Sequence, residues 1–329
     1  MKRFILPGLI TIGIICLLFT QISLFDLYSL LIGIDPLWAL MGFVAYLLGL
    51  FFRALRFRWL IHSMEIPLFQ LFRIAVFYNL SLMVLPSRLG EFSYPYLLKR
   101  FCGINITEGM ASLIATRVFD FLTILMISFV ALVGSQSLFK TSLLLILPSA
   151  ALLGFLTLLV FFYMEGLLRS LSNGFGRLCQ WVGLGKNNPS QWFQEKIDAM
   201  ADDYSAIRKK KTYFPVLLTS LISWAMTIAM FYAFLRGFGV SISFFKVLFG
   251  STVAIIANAL PISGLGNWGI LEAGWTAGFL VVGLSKVKAI TTGLGVHIIM
   301  FMSSAVVAFF CWITFTARNG KALPPLPRK

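Results

Sequence analysis

Long apolar runs separated by short polar or basic stretches dominate the sequence. Six of these runs are each close to the ~20 residues that an α-helix needs to cross the hydrocarbon core of a bilayer. Two further apolar stretches are interrupted midway by proline and glycine. The pattern predicts an all-α polytopic membrane protein with about six full transmembrane helices. The six runs cover approximately residues 4–23, 36–55, 109–134, 138–163, 214–237 and 289–316.

Composition agrees with this fold class. Of the 329 residues, 59% are hydrophobic and only 12% are charged, about half the charged share that is usual in a soluble domain. In a soluble protein the net charge of +15 would suggest nucleic acid. Here the positive-inside rule accounts for it, because Lys and Arg collect in loops kept on the cytoplasmic side. No nucleic-acid motif accompanies the charge, so we expect no nucleic-acid partner.

Cysteine and histidine usage gives no indication of a metal or a cofactor. The four cysteines include no CxxC pair, and the two histidines are far apart in the sequence. Neither a disulfide framework nor a zinc site is therefore predicted. No phosphate-cradling P-loop is present, and the Gly-rich segment "GLGNWG" follows no predicted strand. We expect a protein without a cofactor.

Basic residues predict the orientation of the chain. Lys2 and Arg3 keep the N-terminus in the cytoplasm, so the first span runs outward. At the exit of the second span, Arg53, Arg56 and Arg58 mark the return to the cytoplasmic side. A multi-pass protein of the cell membrane is therefore expected.

The two broken apolar stretches decide where the rest of the chain lies. The stretch 165–213 is basic and amphipathic, and is predicted to be a cytoplasmic linker that lies partly along the membrane surface. This linker and both termini are cytoplasmic only if each broken stretch enters the membrane and returns to the same side. We therefore predict two opposed re-entrant helical hairpins, near 67–100 and near 244–284.

The hairpins make the second half of the chain an inverted copy of the first. Inverted repeats with broken helices near the midplane are typical of a transporter's binding site. The alternative is that these prolines and glycines are ordinary kinks, which membrane helices tolerate. The predicted division is 1–35 for the first span and an external segment, 36–164 for the first repeat, 165–213 for the linker, 214–317 for the second, inverted repeat, and 318–329 for a basic cytoplasmic tail.

The first hairpin contains a compact polar motif, "PSRLGE". Pro86 is predicted to end a half-helix, and Gly90 lets another element or a ligand approach closely. Arg88 offers a planar fork of donors that suits a phosphate or a carboxylate. Glu91 could pair with Arg88 and hold it in position. The alternative is a plain interfacial ion pair at the end of a helix.

The next span carries two more charges, Arg117 and Asp120, on one helix face at i, i+3 spacing. Charges inside a span are costly and usually face a bundle interior or an aqueous cavity. We predict that both residues belong to one polar network with Arg88 and Glu91. The alternative for Arg117 is that its side chain extends to the cytoplasmic interface.

The second hairpin and the last span contribute fewer polar groups. Asn258 and Glu272 are the candidate site residues of this half, and the alternative for Glu272 is an exposed acidic residue on the outer face. A lone intramembrane histidine such as His297 is more often a hydrogen-bonded interior residue than a proton carrier. Its part in proton coupling is left open.

Four segments give the chain a family resemblance: "FRALRFRWLI", "LPSRLGEF", "ATRVFDFLTILM" and "ALPISGLGNWGILEAGW". In this order they resemble the lysylphosphatidylglycerol synthase transmembrane-region family over about residues 4–316. The sequence departs from the family in "GLGNWG", which lacks the arginine of a G-x-G-x-R-E pattern. The resemblance implies movement of a phospholipid or a polyprenyl-linked lipid headgroup between leaflets. It does not imply aminoacyl transfer, which belongs to a separate soluble domain in the fused members.

The expected function is therefore that of a flippase-like lipid translocase without enzymatic activity of its own. The site implied is Arg88 and Arg117 at the phosphate, with Glu91 and Asp120 orienting them. One alternative is a membrane-embedded lipid-headgroup transferase that uses Asp120 or Glu91 as a base. Another is a non-transporting partner of a lipid or glycan biosynthetic enzyme, and such a lipid-modifying enzyme is also a candidate partner of a translocase. The sequence leaves the lipid, the direction of transport and the oligomeric state open.

Overall fold

The computed structural model describes residues 20–85, 89–134, 143–181, 188–259 and 268–316. In this part of the chain the secondary structure consists of eleven α-helices and one short 3-10 helix (Leu89–Phe92), with no strand. The predicted all-α class is confirmed. The α-helices are α1 (Leu24–Ile32), α2 (Pro36–Leu60), α3 (Leu68–Val84), α4 (Ser93–Cys102), α5 (Ile106–Gly134), α6 (Leu143–Trp181), α7 (Asn188–Lys209), α8 (Tyr213–Gly237), α9 (Phe244–Ala259), α10 (Ile270–Val281) and α11 (Lys286–Thr316).

Within the described residues, five helices are long and apolar enough to cross a membrane. Four of them coincide with predicted spans, and the fifth, Ala151–Cys179, overlaps the predicted span 138–163 only over residues 151–163. The first predicted span falls largely outside the described residues, and the basic tail lies wholly outside them. Three shorter apolar helices, α3, α9 and α10, occupy the two broken stretches. The five long segments are Pro36–Leu60, Ile106–Gly134, Ala151–Cys179, Tyr213–Gly237 and Lys286–Thr314.

The order of a long helix, a broken pair and a second long helix occurs twice. The first group is α2 to α5 and the second is α8 to α11, and α2 packs along α8. The first helix of each broken pair packs against the closing long helix of the other group: α3 packs on α11, and α9 packs on α5. The second arm of each pair packs against the long helix that follows it, α4 on α5 and α10 on α11. The helix contacts therefore come in matching pairs, with α2 and α8 at the centre.

Small residues let the helices of the second broken pair approach closely. Gly274 and Gly278 are one turn apart on α10, and a Cβ added at Gly278 would lie 2.6 Å from the carbonyl oxygen of Gly250 on α9. In lipid, helices gain no hydrophobic free energy from association, so close packing of this kind is the main attraction. Close packing between the backbones of α9 and α10 therefore holds this pair together.

Helices α6 and α7, which follow the first broken pair and the long helix α5, pack against each other. Helix α6 continues without a break to Trp181, well into the stretch predicted as linker, and α7 returns to pack against α5 and α6. Tyr204 on α7 is fully buried and donates its hydroxyl hydrogen bond to the carbonyl oxygen of Phe161 at 3.0 Å. The apolar face of the amphipathic α7 thus packs on protein.

Polar contacts connect the C-terminal part of α7 with the residues that follow α2. His62 Nε2 lies 3.2 Å from Asp203 Oδ1, and Lys210 Nζ donates to the carbonyl oxygen of Ile61 at 2.6 Å. Glu108 accepts from the backbone amides of His62 and Ser63 at 2.7 and 2.9 Å. The hydrogen bond to Asp203 is the largest cause that raises the pKa of His62, and the negative charge of Glu108 adds to it.

Replacing Gly278 by alanine is expected to destabilise the protein, because its Cβ would collide with the backbone of Gly250. Overpacking of a closed interface costs about 1–3 kcal/mol. Gly154→Ala is the matched control, since open space surrounds Gly154 in helix α6. Thermal unfolding in detergent should show a lower midpoint for Gly278→Ala only. Equal midpoints for the two variants would contradict the close α9–α10 contact.

The contact between His62 and Asp203 predicts that linker docking depends on pH. Because the pKa of His62 is raised above its ordinary value of 6.5, protonated His62 stabilises the folded protein. This contribution is complete below the ordinary pKa and is lost as the pH rises through the raised pKa. The difference in unfolding midpoint between the wild type and His62→Gln should therefore be largest at acidic pH and shrink towards alkaline pH. A difference that stays constant from pH 5 to 9 would rule the dependence out.

Candidate functional site

A buried ion pair connects the long helices. Asp120 is at the midpoint of α5, and its Oδ1 accepts from Arg56 Nη1 on α2 at 2.6 Å. The same oxygen accepts from Trp224 Nε1 on α8 at 2.8 Å. Both charged residues are buried, with 3% and 6% of Arg56 and Asp120 exposed. One carboxylate thus joins three long helices.

The second oxygen of Asp120 extends the network towards the first broken stretch. Arg117 Nη1 lies 3.5 Å from Asp120 Oδ2, and Arg117 Nη2 lies 3.1 Å from Glu91 Oε1. Arg117 also donates to the hydroxyl of Tyr78 on α3 at 2.9 Å. The structure therefore brings together three of the residues predicted to share a network, whereas Arg88 lies outside the described residues. Their role in binding stays a prediction.

The glycine of the "PSRLGE" motif holds Glu91 in this network. Glu91 lies in the short 3-10 helix, and a Cβ at Gly90 would lie 2.6 Å from the carbonyl oxygen of Ser81 and 2.8 Å from Cα of Leu82. Only glycine allows the 3-10 segment to lie this close to α3. The prediction that Gly90 permits the close approach of another element is confirmed, and the element is α3.

Two arginines of the site were interpreted from the sequence as orientation signals alone. The span predicted to end near residue 55 continues to Leu60, so Arg53 and Arg56 both lie within a helix. Their i, i+3 spacing, the same spacing that singled out Arg117 and Asp120, was the available indication that they share a face. Neither arginine was predicted as a site residue.

Arg53 has a different environment from Arg56. Its guanidinium donates to Asn79 Oδ1 at 2.9 Å, Ser223 Oγ at 3.2 Å and Thr227 Oγ1 at 3.4 Å. The amide nitrogen of Asn79 donates in turn to Tyr46 Oη at 3.0 Å and to Ser304 Oγ at 3.3 Å. Residues of α2, α3, α8 and α11 therefore meet around one cation.

Glu272 and His297 form a separate cluster in the second half. Glu272 is fully buried, so the alternative of an exposed acidic residue is wrong. Its Oε2 accepts from the backbone amide of Gly269 at 2.7 Å, and its Oε1 lies 2.5 Å from His297 Nδ1. The His297 ring stacks on Trp268 with ring centroids 4.0 Å apart.

This cluster fixes the start of α10 against α11 and makes His297 the hydrogen-bonded interior residue that was expected. Asn258, the other candidate of this half, is partly buried near the end of α9, next to residues 260–267, which lie outside the described residues. The contacts of Glu272 with Gly269 and His297 place it in its own cluster and not with Asp120.

Long apolar helices around a buried charged network define a multi-pass membrane protein with a polar interior site. The family model described as "Lysylphosphatidylglycerol synthase TM region" matches residues 4–308, and the chain belongs to this family. No curated protein matches the chain, and no solved structure does. The resemblance stated from sequence motifs is thereby confirmed at the level of the family.

The Arg56–Asp120 pair is expected to be strongly coupled. Breaking a buried pair by removing one partner costs about 3–5 kcal/mol, since the other charge is left uncompensated. Arg56→Gln and Asp120→Asn should each lower the free energy of unfolding, and the double variant should lose less than the sum. The expected interaction energy is about 0.5–3 kcal/mol.

A matched cycle on Arg169 and Asp202 is the control for this measurement. These residues are 2.7 Å apart on an exposed surface, with 44% and 68% of their side chains exposed, and exposed pairs contribute at most about 1 kcal/mol. Additive losses at Arg56 and Asp120 would show that the two residues stabilise the fold independently.

Proposed function

We propose that this protein is a lipid translocase that moves a phospholipid or a lipid-linked headgroup between the leaflets of the cell membrane, without enzymatic activity of its own. The observation that carries the proposal is the network of Arg56, Asp120, Arg117 and Glu91 inside a bundle of apolar helices. Ionisable residues at this depth are costly and mark the paths of polar substrates. Membership of the family agrees with this class of function.

The proposal includes the two re-entrant hairpins. Helix α3 has 17 residues and α10 has 12, which correspond to lengths of about 25 and 18 Å. Both are shorter than the ~30 Å hydrocarbon core, so each supports an arm that enters the membrane and returns. The matching helix contacts of the two halves support an inverted repeat. In this topology the 165–213 linker and both termini are cytoplasmic.

Unsatisfied donors at the network support a ligand there. Arg56 Nε and Arg117 Nε are buried, and neither has a hydrogen-bond partner within the described residues. Leaving a buried donor unpaired costs about 1–3 kcal/mol. A headgroup phosphate has oxygens that can accept from both guanidinium groups, and Arg binds phosphate with two parallel bonds. Glu91 would meet the cationic part of a zwitterionic or aminoacylated headgroup.

The contacts of Asp120 argue against its use as the general base of a headgroup transferase. Its two oxygens already accept from Arg56 and Trp224 and face Arg117. A general base needs an oxygen within hydrogen-bond reach of the proton that it removes, whereas this carboxylate is engaged in joining helices. The structural role of Asp120 leaves Glu91 and Arg117 as the residues that can exchange partners during transport.

Transport should therefore depend on Glu91. Purified protein in liposomes with acyl-labelled fluorescent phosphatidylglycerol is expected to make inner-leaflet lipid accessible to an outside quencher. Glu91→Gln keeps the shape of the side chain but removes the charge that holds Arg117, so we expect transport slower by about tenfold, equivalent to ~1.4 kcal/mol.

Asp202→Asn is the matched control, because it removes a carboxylate whose side chain is 68% exposed on α7. This variant should transport lipid like the wild type. The unfolding midpoint of Glu91→Gln should stay close to that of the wild type. If the label in liposomes with wild-type protein is quenched no further than in empty liposomes, movement of phosphatidylglycerol is excluded. The same result with a labelled polyprenyl-linked lipid would exclude the proposed function.

A further inference from the structure

Arg53 is an intramembrane cation whose hydrogen bonds all go to neutral groups. Its three acceptors are Asn79, Ser223 and Thr227. Among the residues that the structure describes, no carboxylate lies within ion-pair distance of it, in contrast to Arg56 and Arg117. The charge of Arg53 is therefore solvated by dipoles, and the carboxylate of Asp120 acts on it only from beyond ion-pair distance.

The position of Arg53 makes this arrangement costly. Arg53 lies five residues after the middle of the 25-residue helix α2, or about 8 Å along its axis at 1.5 Å per residue. This depth is inside the half-thickness of a ~30 Å hydrocarbon core. A charge at such a depth is normally paired with an opposite charge or faces water. An anion beside Arg53 would offset the cost.

The charge balance of the whole site also favours an anion. The described network contains three arginines, Arg53, Arg56 and Arg117, and two carboxylates, Glu91 and Asp120. The two carboxylates are in contact with Arg56 and Arg117, so the excess positive charge is on Arg53. The part of the site that the structure describes is therefore complementary to one negative charge.

The neutral residues around Arg53 form a rigid cage. Asn79 keeps its carbonyl oxygen on the guanidinium because its amide nitrogen donates to Tyr46 and Ser304. Four helices supply these residues, including α3 of the first broken stretch and α11 of the second half. The direction of the guanidinium is thereby set by both halves of the protein.

A small cavity adjoins the cage. It has a volume of about 30 Å³, and Arg53, Asn79, Tyr46 and Thr227 supply its polar lining. This is room for one or two water-sized groups, enough for a phosphate oxygen but not for a whole headgroup. Met230 and Met300 form part of the apolar wall, and flexible methionine side chains can make way for a larger group.

We propose that Arg53, with Asn79, Tyr46 and Thr227, forms an anion subsite that binds a phosphate group at membrane depth, separate from the Arg56–Asp120 pair. This inference rests on the proposed function, from which it follows that the bound phosphate belongs to a lipid headgroup and is not free phosphate. Arg53 binds the phosphate by charge-assisted hydrogen bonds, and Tyr46 supplies a hydroxyl donor. Thr227 lines the subsite and orients Arg53, since it donates its own hydroxyl hydrogen to the carbonyl oxygen of Ser223 at 3.0 Å.

The test measures binding by purified full-length protein in a nonionic detergent. The probes are dioctanoyl phosphatidylglycerol, dioctanoylglycerol without phosphate, and inorganic phosphate, and the readout is the shift of the unfolding midpoint with probe concentration. The wild type should be stabilised by the phosphatidylglycerol probe and not by dioctanoylglycerol. Arg53→Gln should weaken the apparent affinity for the phosphatidylglycerol probe by at least about tenfold, and Arg53→Lys should retain part of it.

Arg58→Gln is the matched control, since Arg58 lies on the same helix, carries the same charge and is exposed. It should bind the probe like the wild type. Without any probe, Arg53→Gln should unfold at the wild-type midpoint or above it, because the variant removes a charge that forms no ion pair within the described residues. A lower midpoint without probe, together with an unchanged shift with phosphatidylglycerol, would identify Arg53 as a structural residue and overturn the proposal.

The outcomes separate the subsite from the proposed function. Equal, Arg53-dependent binding of inorganic phosphate and of the lipid probe would overturn the assignment to a lipid headgroup. Undiminished lipid transport and probe binding in Arg53→Gln would overturn the subsite and leave the translocase intact. Arg53-dependent binding of the lipid probe by a wild type that moves no lipid in liposomes would support the subsite and refute the translocase.

Discussion

An aspartate at the midpoint of an apolar helix needs a cationic partner, and Asp120 finds it in Arg56 on a helix 64 residues earlier in the chain. Placing this carboxylate in lipid would cost about 2.5–3.5 kcal/mol even on insertion scales, so α2, α5 and α8 must associate to satisfy it. The indole of Trp224 completes the contact from α8. The pair therefore fixes which faces of these three helices point inward.

Once these faces are fixed, the remaining polar groups have only the interior of the bundle to occupy. Arg53 is one turn before Arg56 on α2 and consequently points into the same interior, where Asn79 and Thr227 receive it. Arg117 is one turn before Asp120 on α5 and reaches Glu91 in the first broken stretch. The Arg56–Asp120 pair therefore accounts for both the apolar surface of the bundle and its polar interior.

Much of the fold could be predicted because apolar runs of sufficient length specify membrane helices without reference to distant residues. The grouping of Arg117 with Asp120 was also predictable, since both are on one helix face. The partnership of Asp120 with Arg56 was not, because the sequence does not state which distant helices are neighbours. For the same reason the pairing of Glu272 with His297 was not predicted, since the two residues are 25 positions apart and on different helices.

In the proposed translocase, water and headgroups reach the polar interior, whereas lipid covers the outside. Thr227 lines the cavity beside Arg53, and Ala225 is exposed at the midpoint of the same helix, α8. In a background without native cysteines, Thr227→Cys should react with a charged, membrane-impermeant thiosulfonate reagent in intact membranes, and Ala225→Cys should not. A closed, dry interior would leave Thr227→Cys as unreactive as Ala225→Cys, and a soluble bundle would leave Ala225→Cys modified; either result would contradict the account.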